Sequence, residues 1–255
     1  MKESCDEKEK ILFALLLAGV MAAFLDAPFR EHPLHEEVSD TCAVCLLLNI
    51  DGMKGLGHMA FMLRDEQGNG YVYSYNGMQY SLIECLLGKA GIGKMKVFAL
   101  KPDETTAFLQ TGELQVEDTA ECDNFDRVLY RRISREEYEH IQNGATRYID
   151  AGVEFESLYA AVIEAVNEDK IAAEESLNEF LKREDVPKYQ IYVHNCDSVA
   201  RELIGLIDAE MSLYNEEHVK LTPTGNYLGM CKEFGEQWGY EVMEKDTFIE
   251  RIFWR

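Results

Sequence analysis

The chain has 255 residues, a formal net charge of −22 and seven cysteines. This length can bury a sizeable core, and the apolar and aromatic contents of 47% and 11% are those of a globular protein. The charge argues against a nucleic-acid binder and against docking on anionic lipid, since both need clustered Lys and Arg, and an odd cysteine count argues against a disulfide scaffold.

Residues 1–40 read as a leader to a domain spanning 41–255. Ile11 to Leu25 is fifteen residues without charge. A membrane span needs about 20, so the segment is a secretion signal, a short anchor or a helix packed on the domain. Export or anchoring is favoured over a cytoplasmic location. Membrane contact is expected only through residues 11–25. Residues 29–40, polar and rich in His, Pro and Glu, read as a linker.

Thr41 to Ile50 is a buried-strand candidate. His58 to Arg64 is a second strand, Asp65 to Gly70 a hairpin turn and Tyr71 to Tyr75 the returning strand, closed by a turn at Asn76-Gly77. Met95 to Leu100 reads as a further strand, and the set suggests an antiparallel meander. Gly88 to Lys94 nearly matches a phosphate-binding loop. It lacks the Ser or Thr that would hold magnesium and leads into a strand, so it reads as a glycine-rich turn. From Pro102 to Asp126 there are eight acids and no Lys or Arg. This stretch reads as an acidic, solvated insertion or the edge of a helix.

Val128 to Arg132 is a strand candidate. Ser134 and Glu137 form a capping box opening a helix, with Ile133 placed to staple against Tyr138. Phe155 to Leu181 is acidic and helix-prone, and Tyr189 to Val193 alternates as a strand or extended approach. The segment from Cys196 carries Val199, Ala200, Leu203, Ile204 and Ile207 on one helical face. Thr222-Pro223 starts a last helix.

Two residues carry chemistry. Asn195 can cap the helix that Cys196 begins, and the positive end of that helix favours a thiolate. His58 follows a glycine-rich turn and shares a strand face with Ala60 and Met62. Ser74 or Asn76 of the returning strand can stand beside it and orient the imidazole, as the third member of a triad does; Ser74 is the first choice. Tyr73 and Tyr75 point into the core. His194 is a competing base. Cys42 and Cys45 invite a redox or zinc reading, but in a strand they face opposite ways. They read as buried structural cysteines. No metal or organic cofactor is expected.

The pattern Gly57-His58-x-Ala60 on a strand, a hairpin return, and much later Asn195-Cys196 entering a helix resembles the circularly permuted papain-like hydrolases, which include NlpC-type amidases and lecithin:retinol acyltransferase-like proteins. The resemblance spans roughly Cys42 to Ile207. It implies an α+β fold with an antiparallel sheet and packed helices around a permuted papain-like (NlpC-like) core. It implies Cys196 as nucleophile, His58 as base and Ser74 as the third polar residue, a position where some relatives have a second histidine. The activity implied is thiol-dependent cleavage of an amide or ester in a peptide, peptidoglycan-peptide or lipid-ester substrate. Transfer of the acyl group to a lipid or amine, and a non-catalytic binding module of the same fold, are the alternatives.

Overall fold

Residues 41–52, 56–78, 89–116, 123–166, 168–220, 222–235 and 237–242 are described by a computed structural model. The strands are β1 (Cys42–Asn49), β2 (His58–Arg64), β3 (Gly70–Gly77), β4 (Gly91–Leu100), β5 (Arg127–Ile133), β6 (Lys188–Tyr189) and β7 (Gly239–Val242). They form one sheet in the order β6-β4-β3-β2-β1-β5-β7, with each pair antiparallel. The helices are α1 (Pro102–Thr111), α2 (Arg135–Glu164), α3 (Glu168–Lys182), α4 (Cys196–Gly205), α5 (Ala209–Glu217) and α6 (Pro223–Phe234). The class is α+β, an antiparallel sheet with packed helices.

Side chains alternate across a strand, so a strand apolar on both sides must be covered on both faces. Met59, Phe61 and Leu63 of β2 join Tyr138 and Tyr148 of α2, Val199 and Leu203 of α4 and Tyr227 of α6 in one core. Ala60 and Met62 join Cys45, Leu47, Phe108 of α1, Leu114 and Phe125 in a second core on the other face. Helices α2, α4 and α6 therefore lie on one face. The second is covered by α1, Leu114 and Phe125.

Helix α2 opens at the expected capping box, with Ser134 Oγ accepting from Glu137 N at 3.2 Å and Glu137 Oε2 from Ser134 N at 2.7 Å. Ile133 and Tyr138 share the first core, as the staple requires.

Several boundaries differ from expectation. Strand β3 runs through Gly77 instead of turning at Asn76, because Asn76 and Gly77 pair with Lys94 and Gly93 of β4. Strand β4 accordingly starts at Gly91, inside the expected glycine turn. The stretch 102–126 is not simply a solvated insertion: its first part is α1, with Thr105 and Phe108 buried, and Asp123, Phe125 and Asp126 are fully buried. Tyr189 to Val193 is not a strand, since pairing stops at Tyr189 and Ile191 to Val193 turn back, closed by a Gln190–His194 bridge. Residues 1–40, with the apolar segment 11–25, lie outside the described residues, as do Gly88, Cys5, Cys85 and Cys122.

Candidate active site

His58 enters β2 from Gly57, whose φ of 91° is a left-handed conformation that favours glycine. Strand parity turns its ring to the Ala60–Met62 face, where it is 1% exposed. The β2–β3 register pairs Phe61 with Tyr73, which sets Ser74 beside the imidazole on that face. His58 Nε2 lies 2.9 Å from Ser74 Oγ, as expected from the sequence. Ser74 Oγ also donates to Asp123 Oδ1 at 2.6 Å and accepts from Asn76 Nδ2 at 2.9 Å.

This chain of bonds fixes the histidine tautomer. A carboxylate only accepts, so the one hydroxyl proton of Ser74 is committed to Asp123. The Ser74 oxygen must then accept from His58, and Nε2 carries the imidazole proton. The basic lone pair is on Nδ1. Burial lowers the His58 pKa to about 4, opposed by the charge of Asp123. The ring is therefore neutral at physiological pH, and a transient imidazolium is stabilised by Asp123 through Ser74. The same proton count argues against Ser74 as a nucleophile, because its proton points away from the base.

Asp123 was not anticipated from the sequence. It sits in the acidic run, where one more carboxylate carries no signal. The packing beside it is specific: Phe125 stacks on His58 with centroids 6.2 Å apart and meets Phe108 edge-on at 6.1 Å. Phe125 N donates to Gly112 O, Asp126 N to Leu48 O and Ile50 N to Asp126 Oδ2. These bonds bind the segment to β1 and hold Asp123 over Ser74. Phe125, an aromatic among acids, was the available hint that this run is buried.

Cys196 begins α4 as expected. Asn195 Oδ1 accepts from Ser198 N at 3.0 Å, and Ser198 Oγ accepts from Asn195 N at 2.8 Å. Asp197 accepts from both Arg201 Nε and Nη2, and from Asn226 Nδ2 of α6 at 2.5 Å. In turn Thr224 of α6 bonds Leu56 O, and a Cβ on Gly57 would lie 2.3 Å from Thr224 Oγ1. These contacts tie the start of α4 to the His58 end of the sheet. Cys196 is 1% exposed. The apolar stripe of α4 packs on the face opposite the His58 ring, whose Nε2 bonds Ser74. Thus His58 and Ser74 are joined directly, while the start of α4 is linked to Gly57 only through α6 as far as these contacts run.

His194 has a structural task. Its Nδ1 donates to Lys188 O at 2.6 Å and its Nε2 lies 3.4 Å from Tyr148 Oη, with the two rings stacked. Nδ1 is engaged in holding the turn before α4, but the Tyr148 hydroxyl proton goes to Glu202 Oε2, so the lone pair on Nε2 keeps His194 as a competing base. Cys42 and Cys45 lie in opposite cores. Burial raises both thiols, that of Cys45 to about 12, as suits inert packing residues. Among the described residues no group of His, Cys, Asp and Glu could hold a metal ion, and no helix is long and apolar enough to cross a membrane.

Compared with family models, curated proteins and solved structures, the chain finds no match in any of the three.

Proposed function

We propose that this protein is a cysteine-dependent hydrolase of amide or ester bonds with a permuted papain-like core. The observation that supports the reading is the Asp123–Ser74–His58 chain, which leaves the basic lone pair on Nδ1, while Asn226 and Thr224 of α6 link the first turn of α4 to Leu56 and Gly57, next to His58. The order fits as well: histidine on a strand, then cysteine at a helix start.

In this reading thiol and imidazole meet around the end of β2, since the α4 stripe and the His58 ring lie on opposite faces of the sheet, and Nδ1 of His58 takes the Cys196 proton as Sγ attacks the carbonyl carbon and the S–C bond forms. Backbone N–H groups at the start of α4 stabilise the oxyanion. The tetrahedral species collapses, the bond to the leaving group breaks, and Nδ1 returns its proton to that group. Water then attacks the thioester with His58 as base, releasing the acid and restoring the thiol. An amine or lipid alcohol in place of water would make the same site an acyltransferase. Peptides, peptidoglycan peptides and lipid esters all supply such a carbonyl.

One observation favours a different reading. Cys196 and His58 are each 1% exposed, as suits a binding module that keeps the fold without chemistry. A thiol-reactive probe separates the two. We expect labelling of Cys196, lost in Cys196→Ala and slowed in His58→Ala. Labelling unchanged by the first substitution overturns the nucleophile, and full reactivity after the second overturns the base.

A further inference from the structure

We infer that the turn Gln190–His194 is an acyl-group subsite, with Tyr192 and Val193 as specificity-determining residues for an apolar acyl group. The inference rests on the cysteine-acyl reading above and adds the substrate class.

Tyr192 is 45% exposed and Val193 68%. They are not on a loose loop. Val193 N and His194 N both donate to Gln190 O, and Gln190 N donates to His194 O. His194 Nδ1 holds Lys188 O, and Asn195 Nδ2 donates to Ile191 O at 2.6 Å. Beneath the turn, Tyr75 and Tyr148 pack on the His194 ring. A rigid turn thus displays two apolar side chains in solvent. Val193 is three residues before Cys196, so their Cα atoms are no more than about 11 Å apart.

The rim continues on the neighbouring strand. A Cβ on Gly77 would lie 2.7 Å from the Tyr189 ring, which presses the end of β3 against β6. The next residue, Met78, is 37% exposed. Tyr192 and Val193 therefore stand in the turn that leads into the Cys196 helix, with Met78 exposed at the adjoining end of β3. The alkyl part of an apolar acyl group, seated there as Sγ meets the carbonyl, would bury apolar area on both partners.

The test uses the full chain and two alkylating probes, iodoacetamide and N-hexyl iodoacetamide. In each the Cys196 thiolate displaces iodide, forming an S–C bond as C–I breaks. The Cys196 peptide is followed by mass spectrometry. We expect the hexyl reagent to react about tenfold faster in the native chain, and Tyr192→Ser or Val193→Ser to cut that preference by about fourfold, the worth of roughly one buried methylene. The iodoacetamide rate should stay unchanged, reporting an intact turn. A preference untouched by both substitutions, or no preference at all, overturns the subsite while leaving Cys196 as nucleophile. A fall in both rates alike makes the turn structural and also overturns it. Failure of both reagents to reach Cys196 overturns the catalytic reading itself, and the subsite with it; failure of the hexyl reagent alone overturns the subsite.

Discussion

Ser74 gives its hydroxyl proton to Asp123 across 2.6 Å, and this one bond decides which nitrogen of His58 can act as a base. The hydroxyl bridges a strand histidine and a carboxylate on an irregular segment. All three groups are buried, so none can be replaced by water without rearrangement.

Removing the bridge should therefore act on stability and on reactivity together. Ser74→Ala leaves a buried carboxylate and a buried imidazole each short of a partner, which costs on the order of 1–3 kcal/mol. It also frees the imidazole to exchange tautomers, so the Cys196 alkylation rate should fall by about tenfold or more. Ser74→Thr retains the hydroxyl and should recover much of both. Urea unfolding and probe labelling measure the two effects separately.

Asp123→Asn tests the charge with the shape retained. The negative charge of Asp123 raises the His58 pKa against the larger effect of burial. Its loss should lower that pKa further and weaken the base. Histidine NMR titration would show the acid transition moving down. A His58 titration unaffected by the substitution breaks the link between the two residues.

The depressed His58 pKa also sets a pH dependence of stability. In the unfolded chain the imidazole takes a proton near pH 6.5, but in the folded protein only near 4. Between those values the unfolded state binds more protons, so stability rises with pH across that window and is level above it. The share attributable to His58 is on the order of 3 kcal/mol. It is fully present above pH 6.5 and lost as pH falls towards 4. Urea midpoints at pH 4.5 and 7 should differ less in His58→Gln than in the native chain; equal differences would remove His58 as the source.

The sheet around His58 was legible because strands announce themselves locally. Met59, Phe61 and Leu63 alternate with Ala60 and Met62, and a glycine-containing turn joins β2 to β3, so parity alone set Ser74 beside His58. Asn195 as a cap, and Ser134 with Glu137, are local signals as well. Asp123 was not legible, because it reaches Ser74 from 49 positions away on a segment without period. The turn at Gln190–His194 was misread for a different reason. Its residues alternate like a strand, but the side chains of His194 and Asn195 bond back to Lys188 O and Ile191 O and win over ladder pairing. Nor does any pattern in α4 reveal that Asp197 would find Asn226, the contact that ties the first turn of the helix to α6.

The cap of α4 offers a separable test of how Cys196 is presented. Asn195 accepts from Ser198 N and donates to Ile191 O. Asn195→Ala removes both bonds and should destabilise the protein by about 1–2 kcal/mol. Asn195→Asp keeps the accepting oxygen and adds a negative charge next to the thiol, which opposes thiolate formation. Its stability should stay closer to native while Cys196 alkylation slows at neutral pH. If the alanine variant unfolds at the native urea midpoint, the cap contributes nothing.

Gly57→Ala addresses the residue that delivers His58 into β2. The backbone there has φ 91°, where a Cβ is strained by about 1–2 kcal/mol. The new methyl would also lie 2.3 Å from Thr224 Oγ1 and 2.9 Å from Thr224 N. The two penalties have different remedies. Adding Thr224→Ala removes the hydroxyl contact but neither the backbone strain nor the approach to Thr224 N. Gly57→Ala should thus destabilise by about 3 kcal/mol or more, with only partial recovery in the double variant. Because α6 also holds Asp197 through Asn226, the displacement should reach the start of α4 as well, and Cys196 alkylation should change in the single variant. Complete recovery of stability by Thr224→Ala would show that the side-chain clash, not the left-handed backbone, fixes glycine at this position.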